Sequence, residues 1–423
     1  MTRLFAATSV LTLGIASAAI ADDSPSKADV LSTYSNIAEA NYDDSLIAAK
    51  SLQAAVNALI ADPSDATLNA ARAAWIAARV PYQQTEVYRF GNAIVDDWEG
   101  KVNAWPLDEG LIDYVDSSYS GPTDENEFAA LNVIANPSFE LSGETIDAAE
   151  ITPELLGETL HEADGIEANV ATGYHAIEFL LWGQDLNGHG TGAGNRPWSD
   201  YAQGDACTGG NCDRRAQYLS AATDLLVSDL EWMAAQWAEG GAARVALTAD
   251  EAAGVSAILT GMGSLSYGET AGERMRLGLM LNDPEEEHSC FADNTHNDHY
   301  YNGVGVQNVY LGTYTRIDGT PVDGASLSDL VIASDPSLDA EMKVKLANTM
   351  QALGVMKSTA EAGFAYDQML ERGNEGGELL IMGGVNGFID QTKTIERIVT
   401  TMQLDQIDFE GSDSLDNPDA VFQ

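Results

Sequence analysis

The sequence predicts an all-α protein of two helical-bundle domains packed side by side, with long irregular inserts. Three observations carry that expectation. Apolar residues recur at three- and four-residue spacings over long stretches, as in Ile47, Leu52, Val56, Leu59 and Ile60. Helix punctuation is explicit: Asp62-Pro63 stops one pattern and Ser64 is placed to cap the next. The order along the chain is helix pair, irregular segment, motif helix, helix pair, irregular segment, helix pair.

In order, the first helix spans residues 30–61 and the second 65–90, with Pro81 as a kink. Residues 91–153 are loop-rich, punctuated by Gly100, Pro106, Gly121-Pro122 and Pro137. A further helix covers residues 152–182, broken near Gly165 or Gly173, and leads into a Gly/Asn-rich connection over 183–211. Ordered loops of that length are uncommon without a function. Helices are expected over 213–239 and 248–281, then an irregular polar segment over 282–324. Helices follow over 337–372 and 378–404, the last interrupted at Gly383-Gly384. The domains are thus residues 22–210 and 211–405, after a 1–21 leader and before a mobile acidic tail, 406–423.

The chain has 423 residues with 66 acidic against 20 basic side chains, a net charge of −46. With 45% hydrophobic residues it is a foldable globular chain and not an acidic disordered tail. So negative a surface repels phosphate backbones and anionic lipid, which sets nucleic acid and membrane surfaces aside as partners. It either attracts cations or only keeps the protein soluble. Residues 1–21 combine Arg3, an apolar run and Ala19-Ile20-Ala21, the pattern of an export signal cleaved after Ala21. No later stretch is long and apolar enough for a transmembrane helix. Cys207 and Cys212 bracket a short flexible loop suited to a local disulfide, leaving Cys290 over.

The sharpest constellation is Gly173-Tyr174-His175-Ala176-Ile177-Glu178. Three apart on a helix, His175 and Glu178 share a face, where they either converge on a metal ion or form a hydrogen-bonded pair in which Glu178 orients His175. Ile177, Leu180 and Leu181 make the helix largely buried, so its ionisable groups need partners. Tyr82, Glu86 and Arg89 share a helical face upstream, and Asp113 follows in WPLDEGLIDY. These acids are candidate oxygen ligands, or members of ordinary ion pairs. A second cluster holds His288, Cys290, His296, Asp298 and His299 among further carboxylates. It reads either as a metal site or as a polar loop. There is no H-E-x-x-H, no G-x-S-x-G and no phosphate-cradling Gly loop.

Gly173, His175 and Glu178 match the G-x-H-x-x-E motif of the imelysin-like (M75 peptidase / iron-regulated protein A) family. The blocks WIAARVPYQQTEVYRFG, HAIEFLLWGQDL, GTGAGNRPWSDY and EEEHSCFADNTHNDHYYNGVGVQNVYLG strengthen the resemblance in order, over about residues 30–405. It implies two four-helix-bundle-like domains with the motif near their interface, and a periplasmic or outer-envelope protein linked to iron uptake. The motif supplies two ligands and no evident general base, whereas a catalytic zinc usually needs three protein ligands and a base. Binding is therefore favoured over proteolysis. On this reading iron, or else zinc, arrives as an ion or complex at His175 and Glu178. Glu86 and Asp113 supply oxygens, and Gly173, Arg89 and Tyr82 position them. Residues 288–299 form the other wall or a separate site, and envelope iron-transport components are the expected partners. A metallopeptidase using the same site, and a haem- or partner-binding envelope module, are the alternatives.

Overall fold

The computed structural model describes residues 25–119, 121–123 and 126–422; the leader expected over 1–21 lies outside them. Ser26 opens α1 (Lys27–Ala61) with a capping box, its hydroxyl accepting from the Asp29 N–H while Asp29 accepts from the Ser26 N–H. The helix stops before Pro63, whose ring disfavours helical geometry in the preceding residue. Ser64 and Thr67 form the same box at the start of α2 (Asp65–Gln83). Pro81 sits in the last turn of α2 and the chain continues only as one 3-10 turn, Glu86–Tyr88, so the helix expected to reach residue 90 ends early.

Next come α3 (Ala93–Asn103), α4 (Glu109–Ile112) and a small hairpin, β1 (Ser138–Leu141) with β2 (Glu144–Asp147), Phe139 opposite Ile146. The motif helix α5 (Gly173–Trp182) starts afresh and does not continue from residue 152; before it lie a π-helical turn, Leu155–Leu160, and a 3-10 turn, Ala163–Gly165. Gly173 has φ +78°, and a side chain there would strike the Val102 carbonyl, so the start of the helix needs glycine. Then follow α6 (Cys212–Trp237), α7 (Ala242–Thr248) and α8 (Glu251–Ser264), running into a π-helical segment, Leu265–Arg276, and α9 (Leu277–Leu281). The rest is α10 (Thr295–Leu311), a hairpin of β3 (Thr313–Thr315) and β4 (Pro321–Asp323), α11 (Leu327–Ser334), α12 (Pro336–Glu361), α13 (Tyr366–Leu370), α14 (Glu375–Thr401) and α15 (Asp413–Asp416).

The fold is all-α and bundle-like. In the first half α1 lies against α2 and α6, and α5 is enclosed by α2, α3 and α6. In the second, α12 packs on α14, α14 on the π-helical segment and α10 on α12. Two helices touch both groups: α10 packs on α2, and α8 on α1 and α14. One hydrophobic cluster accordingly runs from Trp75, Leu180 and Trp237 to Tyr310, Leu338 and Ile395, beside a smaller one of Met275, Leu353, Met369 and Phe388. Burying each such side chain contributes roughly 1.5–3 kcal/mol.

Three further expectations are corrected. The segment read as irregular over 282–324 contains α10, whose buried face is polar (His296, Asp298, His299, Asn302) and so shows no apolar period. Gly383-Gly384 lies inside α14 and does not interrupt it. The acidic end is docked: Glu410 N–H donates to Ser264 Oγ (3.0 Å) and Ser414 Oγ to the Gly272 carbonyl (2.9 Å). Gly268 and Gly272 let that strand of chain lie directly on the π-helical segment.

Candidate functional site

Every residue of α5 is buried, so His175 and Glu178 are core residues. One Glu178 oxygen accepts from the Ala292 N–H (2.9 Å) and the other lies 2.9 Å from His175 Nδ1. Burial pushes the Glu178 carboxyl up, against the pull of Arg79. It pushes His175 well down, helped by Arg79 and Arg274. In the tautomer whose Nδ1–H donates to Glu178, the Nε2 lone pair is free.

That Nε2 is buried without a partner, and so are both ring nitrogens of His288. The two imidazoles stand edge to face with centroids 4.7 Å apart. Burial, then Arg274, His175 and Arg79, keep His288 neutral as well. Trp105 packs on His288 at 5.7 Å and its Nε1 donates to the Glu287 carbonyl, fixing the segment that carries His288. The imidazoles open on a cavity of about 420 Å³ also lined by Trp105, Glu109, Asp185 and Cys290. Buried nitrogens without partners are costly unless a ligand uses them. Two neutral imidazoles, one braced by a carboxylate, fit a borderline metal such as Fe or Zn.

The other expected ligands are placed differently. Glu86 receives Arg274 Nη2 at 2.7 Å and belongs to a buried network in which Asn103 bonds Arg79 and Glu99. Asp113 does not join His175: Arg196 Nη1 (2.6 Å) and Arg215 Nε and Nη2 (2.6 and 2.9 Å) occupy both its oxygens. Burial alone would raise the Asp113 carboxyl, but the two guanidinium groups outweigh it and hold it below the ordinary range. Arg89 pairs with Asp96 (2.9 Å), with Glu99 and Glu269 at 3.6 Å, and so does not reach His175. Tyr82 packs 4.8 Å from Tyr174, the neighbour of His175, in van der Waals support of the motif helix.

The second cluster divides. His288 and Cys290 face the His175 cavity, although burial raises the Cys290 thiol and keeps it protonated. Asp298 is committed to Arg79 (3.2 Å), Gln83 (2.7 Å) and Ser289, and is not free to ligate. His299 packs on Tyr366 at 5.2 Å, and His296 Nε2 meets the Asn297 side chain at 3.1 Å. Burial lowers these two to about 3 and about 4. The sequence reading missed Arg79, Arg274 and Trp105, whose partners lie far along the chain; only the placement of Arg79 one turn before Gln83 and two before Glu86 hinted at a buried role. Cys207 and Cys212 form a disulfide and Cys290 is free.

The family model described as imelysin, peptidase M75, matches residues 38–395. Iron-regulated protein A of Synechococcus elongatus is 24% identical over 351 residues, covering 80% of this chain and 75% of that protein. The crystal structure of an iron-regulated protein A precursor from Parabacteroides distasonis superposes with TM-score 0.65 at 18% identity, covering 90% of this chain and 97% of its own. An imelysin-like protein from Psychrobacter arcticum gives 0.56 at 16%, covering 91% and 96%. These two share the fold, with motif and cavity on the same scaffold in the present chain. With the family match extending over most of its length, the chain belongs to the imelysin family.

Proposed function

We propose that this protein binds a metal, iron foremost, in the cell envelope as part of an iron-uptake system. His175 Nε2 and His288 are the ligands, and Glu178 holds His175 in place instead of ligating. The observation that carries this reading is the pair of neutral, facing imidazoles with three unpartnered buried nitrogens at one cavity. The motif and the iron-regulated relative favour iron over zinc. Export is supported by the leader pattern of residues 1–21 and by the Cys207–Cys212 disulfide, which persists in oxidising compartments. No described helix is long and apolar enough to cross a membrane.

The test is titration of the leader-free protein with Fe and with Zn. Wild type binds; His175→Ala does not; Glu178→Gln binds about 10–100-fold more weakly, the usual cost of losing a carboxylate behind a ligating histidine. Unchanged affinity in His175→Ala sinks the reading. One observation favours the metallopeptidase alternative. Glu109 lines the same cavity, and burial and then Glu285 push its carboxyl up to about 8, within the range of a proton-transfer group. That alternative expects metal-dependent cleavage of an unfolded protein substrate, abolished in Glu109→Gln.

A further inference from the structure

Three carboxylates from distant segments converge beside the imidazole pair, and one of them, Asp185, also borders its cavity. Asp185 in the loop after α5, Asp293 in the turn before α10 and Asp367 in α13 each bring an oxygen within 4.8 Å of the others. Like charges this close are destabilising unless a proton or a cation sits among them. Beyond burial, the groups acting most on Asp293 are Asp367 and Asp185 themselves, not a lysine or arginine.

A second observation points to a ligand. Asp367 is 2% exposed, and neither of its carboxylate oxygens has a hydrogen-bond partner. Glu287, 1% exposed, has an orphaned Oε2 as well. Beyond the Gln368 backbone and His189, which favour the charged form of Asp367, such a buried carboxylate is completed either by a proton or by a cation.

We propose that Asp185, Asp293 and Asp367 bind a hard divalent cation of the calcium class, which clasps the loop after the motif helix to the second half of the chain. The donor set is all oxygen, which disfavours soft metals. The oxygens come from three separate segments, which suits the tolerant coordination of calcium better than the strict octahedron of magnesium. This site goes beyond the imidazole pair and stands or falls separately from it.

The experiment uses the full leader-free chain, stripped with chelator and titrated with calcium chloride at mildly alkaline pH by calorimetry and thermal melting. Wild type binds calcium and melts higher in its presence. Asp367→Asn weakens binding by about tenfold or more. Without calcium it melts at or above wild type, because one repelling charge has gone. Should that variant not fold, the half-exposed Asp185→Asn shows the same loss of binding. No calcium binding by wild type, wild-type binding by the folded variants, or a response to magnesium alone overturns the proposal. His175→Ala separates the two sites: it keeps the calcium response while losing iron. A calcium response lost in His175→Ala assigns the ion to the imidazole cavity and overturns the proposal too.

Discussion

The two ends of α5 face buried polar clusters of opposite character. At its C-terminal end Arg196, whose N–H donates to the Trp182 carbonyl, and Arg215 are balanced by Asp113 and Asp200. Two positive groups meet two negative ones, so the charges balance, with Arg196 Nε and Asp200 Oδ1 left over. Toward its N-terminal end His175 and His288 leave three nitrogens without partners at a cavity. A cluster whose charges cancel is scaffolding, whereas neutral imidazoles whose free nitrogens border a cavity have capacity for a guest. Residue type alone does not separate the two, since aspartates and glutamates occur in both surroundings.

The comparison breaks most visibly at Asp113. Asp113→Asn leaves Arg196 and Arg215 with one carboxylate between them, and the expected loss is about 3–5 kcal/mol in denaturant unfolding. A loss near zero would make the closed cluster ornamental. His288→Leu is expected to do the reverse. It removes metal binding while stability without metal stays within about 1 kcal/mol of wild type, because an apolar group replaces nitrogens that had no partner. A large fall in stability would place His288 among the structural groups.

The sharpest separation is in pH. Asp113 has a lowered folded pKa, so its stabilisation is full above its unfolded value of about 3.9 and is lost as pH falls below it. The gap between wild type and Asp113→Asn should therefore narrow only in strong acid. The histidines act earlier. With folded values near 3 and 4 against 6.5, His299 and His296 take up protons first in the unfolded chain, so stability drops from about pH 6.5 downward. Unfolding curves of wild type and His299→Phe across this range measure that contribution.

The helical hairpins were legible because their signals are local: apolar spacing along α1, and serines placed to cap α1 and α2. Helix α10 was not, because periodicity registers apolar faces and this helix buries polar side chains whose partners, Arg79 and Gln83, stand more than two hundred residues upstream. The candidate site shows the same division. His175 and Glu178 are three residues apart and can be read together. His288 belongs with them only through folding, and Asp113 looked available until Arg196 and Arg215 were brought to it.

The Glu178 carboxylate has one further consequence. With one oxygen it sets the rotation of the His175 ring, and with the other it seats the Ala292 amide, four residues beyond His288. A single side chain thus gauges the spacing between the two imidazoles before any ion arrives. A site calibrated in that way does not reshape itself around its occupant. On the proposed metal-binding reading it selects by radius, with its tolerance set by the backbone on either side of Glu178.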